Sequence, residues 1–187
     1  LPPLVSLEYD GRYRAMLSHE PKNYALEGYD GRLHLRGVAF RSSRAEPFGE
    51  DFLRRALACL LRGDVGGVRE AYVSTAFAIA RRQLPTRDVT ARVRLTKSPA
   101  EYLATRAARR ELSYEAMLTS GHSEWEVGDR VRVYRATGKR AALFVEHDES
   151  EAPRPDARDY DTELYARLLR ETFAARLERA LTPDDFR

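Results

Sequence analysis

Cysteine is almost absent from this 187-residue chain: Cys59 is the only one, so no internal disulfide can form. It sits among Ala56, Leu57, Leu60 and Leu61 in a helical pattern, where a thiol packs as a small apolar group. Lysine is scarce too. Lys22, Lys97 and Lys139 are the three lysines among 32 basic residues, and arginine supplies the other 29. The four histidines, at positions 19, 34, 122 and 147, stand apart with no second ligand type at metal-binding spacing, which argues against a zinc site. No run of about 18 uncharged apolar residues occurs, so a membrane-spanning helix is not expected. The N-terminus lacks the basic-then-apolar pattern of an export signal, and the expected location is cytoplasmic. A phosphate-binding glycine loop, a nucleophile elbow and an HExxH pair are missing as well.

What is present suits a folded domain, or one domain with a small appendage, since 43% of the residues are hydrophobic. The net charge of +3 conceals an uneven distribution. Residues 81–140 hold 14 Lys and Arg against 7 Asp and Glu, whereas residues 146–163 hold 2 against 8. The middle of the chain could hold an anion, but on charge alone a solvated surface in an arginine-biased composition is the favoured explanation. The chain opens on Leu1 rather than methionine, from which an excised segment or a processed product is expected.

From Val5 to Phe40 short alternating runs are broken at Asp10-Gly11, Glu20-Pro21 and Tyr29-Asp30-Gly31, predicting two or three antiparallel strands. Asp30-Gly31, between Tyr24-Ala25-Leu26 and Leu33-His34-Leu35, predicts a type I′ hairpin turn. After Pro47 the period changes. Phe48, Phe52, Leu53, Ala56, Leu57, Leu60 and Leu61 form one helical stripe, and Val65, Val68, Ala71, Tyr72, Thr75, Ala76, Ile79 and Ala80 a second. Val93 to Thr96 reads as a strand, and Ser98-Pro99 as the cap and first turn of a helix over 100–111. A shorter helix over 113–118 is followed by a hairpin of Val131, Val133 and Tyr134 with Ala141 to Val145, turning at Thr137-Gly138-Lys139. Glu146 to Arg158 reads as an acidic loop without core residues. A long closing helix then carries Tyr160, Leu164, Leu168, Leu169, Phe173, Leu177 and Leu181 and stops near Pro183. The acid pairs Asp159/Asp161 and Asp184/Asp185 read as a helix cap and a solvated end rather than metal ligands.

In Lys22-Asn23-Tyr24 a strand period of two would put an ammonium and an aromatic on one face, a pairing that suits a nucleic-acid backbone and also an ordinary half-buried strand. This motif, after Leu7-Glu8-Tyr9-Asp10 and Tyr13, resembles the stretch of family B DNA polymerases that follows their second metal-binding motif and ends in a lysine-x-tyrosine signature. Gly37-Val38-Ala39-Phe40-Arg41 resembles the strand that leaves the palm, and the helices after Pro47 resemble the thumb. Leu95-Thr96-Lys97 with Pro99 and Tyr102, Gly128-Asp129-Arg130-Val131, and Asp159-Tyr160-Asp161 with Tyr165 continue in family order. Many relatives carry a second lysine where Pro21 stands, a glutamate at Ala39 and paired arginines near Ser42-Ser43.

The resemblance implies an α+β fold: short antiparallel strands of the palm edge over 1–46, then a mainly helical thumb with a small hairpin over 47–187. It implies a segment that grips primer–template duplex, with Lys22, Tyr24, Arg36, Arg41, Arg44, Lys97, Tyr102, Arg106 and Arg109 as candidate DNA contacts. The catalytic aspartates and their Mg2+ would belong to a palm upstream of Leu1, joined by fingers and in some relatives an exonuclease, so that no catalytic or metal-binding residue is expected in this chain. Two other readings stay open: a polymerase-like accessory subunit that binds DNA without catalysis, and a protein-interaction module using the acidic loop and the last helix.

Overall fold

The computed structural model describes residue 9 and residues 11–42, 44–145 and 156–181. Leu7, Glu8 and Asp10 of the first motif, Ser43, most of the acidic segment, and Pro183 to Asp185 lie outside these described residues. The fold is α+β, with two three-stranded antiparallel sheets and five α-helices.

The first sheet contains β1 (Ala15–Glu20), β2 (Asn23–Glu27) and β3 (Leu33–Arg36), in that spatial order. The β2–β3 hairpin forms where the sequence predicts it, but its turn is not type I′. Gly28 N–H donates to the Arg32 carbonyl and Gly31 N–H to that of Gly28, giving a longer loop in which Gly31 but not Asp30 has positive φ. The Asp30 carboxylate accepts from Arg32 N–H at 3.0 Å, so the side chain stabilises an ordinary turn that needs only one left-handed residue. Leu17, Ala25, Leu33 and Leu35 point toward the helices, while Met16, Ser18, Tyr24, His34 and Arg36 stand on the opposite face.

Both long helices run as their apolar stripes require. They are α1 (Pro47–Leu60), with proline in its first turn, and α2 (Val65–Ala80), capped by Asp64, whose carboxylate accepts from Gly67 N–H at 2.8 Å. The second sheet joins β4 (Ala91–Arg94) to the hairpin β5 (Arg130–Ala136) and β6 (Arg140–Phe144). Two short helices lie between β4 and β5: α3 (Pro99–Thr105), which carries the full Ser98/Glu101 capping box, and α4 (Leu112–Thr119). The helix expected over 100–111 thus ends at Thr105. Arg106 instead turns toward α4 and pairs with Glu115.

The closing helix α5 (Thr162–Leu168) is capped by Asp161, whose carboxylate accepts from Leu164 N–H at 3.1 Å. It does not continue as a regular helix to Leu181. A π turn spans Leu169–Phe173, followed by 3-10 turns at Ala174–Arg176 and Glu178–Ala180. The widened turn carries Phe173 onto α1, where a Cβ on Gly49 would lie 2.1 to 2.3 Å from the phenyl ring. Only a residue without a side chain leaves that space.

The main core is continuous across residues 46 and 47. Ala25 and Phe40 share it with Phe48, Phe52 and Leu57 of α1, Ile79 of α2, and Tyr165, Leu169 and Phe173 of the closing segment. A buried carboxylate adds a second tie. Glu27 of β2 is 3% exposed and accepts from Arg14 and from Arg62 beyond α1. Such a pair is worth little for stability in itself but fixes how the hairpin meets the helix.

Candidate nucleic-acid interface

Lys22 does not lie on the strand. It occupies the tight turn between β1 and β2 with φ +66°, so strand alternation does not place it beside Tyr24. The turn is built by its neighbours. Asn23 donates to the Pro21 carbonyl at 3.1 Å and accepts from Ala39 N–H at 2.9 Å. Gly37, at φ +83°, passes so close that an added Cβ would sit 2.2 Å from Asn23 Oδ1 and 2.4 Å from the Lys22 carbonyl. Residues 37–40 therefore form a turn rather than a strand, with Phe40 and Arg41 N–H donating back to Gly37. Arg176 from the closing segment donates to the Ala39 carbonyl, locking this turn to the far end of the chain.

Tyr24 stands in register between Ser18 and Arg36 on the outward face of the first sheet, with its ring half-buried. An aromatic and a guanidinium are thereby direct cross-strand neighbours, about 5 Å apart at Cβ. Arg36, Arg41 and Arg54 line a cavity of about 260 Å3 together with Leu33, His34 and Leu35. Arg44 is exposed, and its carbonyl accepts from Arg92 N–H at 3.4 Å, bringing it to the edge of the second sheet.

The remaining candidates from the sequence lie in the lobe formed by α3, α4 and the second sheet. Tyr102 is fully buried and stacks on Tyr114 with centroids 4.4 Å apart, so its ring offers no surface to a base. Its hydroxyl donates to Glu115 Oε1 at 2.6 Å and accepts from Glu111 N–H at 3.2 Å. Arg106 clamps the same Glu115 carboxylate at 2.7 and 3.0 Å. That clamp, with the Tyr102 hydroxyl, holds the Glu115 pKa down to about 2. Lys97 Nζ pairs with Glu111 at 2.6 Å, and its carbonyl accepts from the Trp125 indole at 2.8 Å. Both charges are thus partly neutralised inside the lobe. Arg109 remains exposed after α3 with no carboxylate partner among the described residues.

The register of the second sheet creates a basic surface that the list of sequence candidates missed. Arg92 stands opposite Arg132, and Arg94 opposite Arg130, so four arginines occupy one face of two adjacent strands. The other face, with Val93, Val131, Val133, Ala141 and Leu143, packs on Leu112 and Ala116 of α4. Arg132 Nη1 reaches Thr90 Oγ1 at 3.4 Å, whereas Arg92, Arg94 and Arg130 are exposed and have no carboxylate partner among the described residues. Like charges directly opposite in a sheet are destabilising, so fold stability alone does not account for this arrangement. The alternation Arg92-Val93-Arg94 and Arg130-Val131-Arg132-Val133 carried the signal. Only the pairing of β4 with β5 joins the two halves.

Asp159 accepts from the Tyr134 hydroxyl at 2.8 Å and from Arg140 at 2.9 Å, so this acid is structural, as is the Asp161 cap. Among the described residues no three His, Cys, Asp or Glu side chains gather as a metal site, and no helix is long and apolar enough to cross a membrane.

No family model and no curated protein matches this sequence. The structure of the family B DNA polymerase from the hyperthermophilic archaeon Pyrobaculum calidifontis matches over 94% of this chain, with a TM-score of 0.68 at 19% sequence identity. The matched region is 22% of that polymerase. The chain therefore has the fold of a segment of a family B DNA polymerase and spans about a fifth of the length of that enzyme.

Proposed function

We propose that this chain is the palm-end and thumb segment of a family B DNA polymerase and that it grips primer–template duplex. The observation that carries the reading is the arginine face of the second sheet, where Arg92, Arg94 and Arg130 stand exposed and without acidic partners among the described residues. Guanidinium forks are suited to phosphate oxygens and stay charged at every physiological pH. Arginines on adjacent strands spread that charge along a line, as a polyanion demands and a small metabolite does not.

In this reading Arg92, Arg94, Arg130 and Arg109 hold phosphates of the duplex away from the primer end. Lys22 at its turn, with Tyr24 and Arg36 on the outward face of the first sheet, meets the strand nearer the primer terminus. Arg44 lies between the two groups. Lys97, Tyr102 and Arg106 give the lobe its shape instead of its charge. These contacts touch the backbone, so they set grip and register and do not read sequence. In this reading the polymerase chemistry, with the Mg2+ that supports it, belongs to aspartates of the palm outside this segment.

The test is a fluorescence-anisotropy titration of the chain into a primer–template duplex, a matched single strand and an unrelated duplex over a range of salt. With four to six phosphates neutralised, log K against log salt should fall with a slope of about −4 to −5, equal for both duplexes. A slope near zero, or no duplex binding at low salt, refutes the reading.

A further inference from the structure

We propose that the hollow along the free edge of β3, which also takes in Arg54 of α1, is a seat for a single phosphate group, held by Arg36, Arg41 and Arg54. Its six lining residues are Leu33, His34, Leu35 and the three arginines, and none is acidic. The arginines arrive from three elements: Arg36 from β3, Arg41 from the Gly37 turn and Arg54 from the exposed side of α1. None has a carboxylate partner among the described residues. Glu50, one helical turn before Arg54, is engaged elsewhere, accepting from Ser42 N–H at 2.8 Å.

Three permanent positive charges line one hollow, and an anion entering it relieves their mutual repulsion. The volume of about 260 Å3 falls below the roughly 300–1,000 Å3 of pockets that enclose drug-sized ligands. One phosphate with water fits that space. β3 is also an edge strand, paired only with β2, and all four of its residues line the cavity. Its free edge supplies backbone groups to complete the seat. A phosphate held there bridges the first sheet to α1, so occupancy stiffens the joint between them.

The seat takes its phosphate either from a DNA strand, in which case it rests on the proposed function, or from a free anion. Two measurements on the chain and its Arg54→Gln and Arg54→Lys variants separate these sources. In the first, thermal unfolding is followed in inorganic phosphate and in chloride at matched ionic strength. Phosphate should raise the Tm of the parent chain more than that of R54Q, with R54K between them, because lysine keeps the charge but loses the fork. In the second, duplex affinity is measured against salt. R54Q should bind about tenfold more weakly, as expected for one lost charged hydrogen bond, and its slope should be shallower by about 0.9.

Either effect supports the seat, the second assigning it to DNA and the first alone to a free anion. If R54Q matches the parent in both, the seat does not exist. A parent chain that ignores duplex DNA refutes the proposed function, and the phosphate arm then decides the seat by itself. Arg54 is exposed and glutamine is a good helix former, so the variant folds.

Discussion

Replacing Gly37 with alanine tests how the Lys22 turn is held. The residue has φ +83°, and a left-handed conformation costs an alanine roughly 1–2 kcal/mol. The new methyl would lie 2.4 Å from the Lys22 carbonyl, a backbone atom that cannot rotate away, and overpacking of this kind costs about 1–3 kcal/mol. It would also lie 2.2 Å from Asn23 Oδ1, displacing the bond from Ala39 N–H and forfeiting about 1 kcal/mol. The sum is roughly 3–6 kcal/mol, which for a chain of this size lowers Tm by at least about 6 °C. Asn23→Ala is the control, because it removes the same bond with no clash and should cost only about 1–2 kcal/mol. Thermal unfolding by circular dichroism gives both values, and anisotropy gives the accompanying loss of duplex affinity. If G37A keeps the parent Tm and affinity, the Gly37 approach does not hold this turn.

The other predictions concern different parts of the molecule. Arg130→Thr removes a like charge directly opposite Arg94, so it should raise stability by about 0.2–1 kcal/mol while making the duplex salt slope shallower by about 0.9; a destabilised variant with an unchanged slope would contradict the assignment of this face. Gly49→Ala should destabilise in urea, since an overpacking cost of about 1–3 kcal/mol outweighs a helix-propensity gain of about 1 kcal/mol. In a Phe173→Ala background the same substitution should turn neutral or stabilising, and a failure to change sign would mean the ring does not occupy that space. The Glu115 carboxyl is held at about 2 in the fold against an ordinary 4.5, so the stability it confers is complete above the ordinary value and lost as pH falls toward about 2. The Tm gap between the parent chain and Glu115→Gln should therefore be widest near neutral pH and close across that window.

Much of the local structure was legible because it depends on neighbours in sequence. The apolar stripes of α1 and α2, the Ser98 cap, the Asp161 cap and the β2–β3 and β5–β6 hairpins each follow from residues within a few positions of one another. The resemblance carried by Lys22-Asn23-Tyr24 and the motifs after it likewise pointed to the fold found by structural comparison. Side-chain roles were less legible. Tyr102 and Tyr24 look alike in sequence, yet one is sealed against Tyr114 and the other stands beside Arg36 on an open face.

By itself, then, the sequence determined most of the helices and strands and that positive charge gathers over 81–140, because periodicity, capping and composition are local properties; where α3 and the closing helix end, and that residues 37–40 turn, depended on distant contacts. Tertiary structure decided which charges remain available. Pairing β4 with β5 set four distant arginines on one surface, while folding α3 against α4 placed Lys97 and Arg106 on Glu111 and Glu115. Opposite charges attract and like charges repel only at the separations the fold allows, and those separations are fixed by contacts many residues apart in the chain.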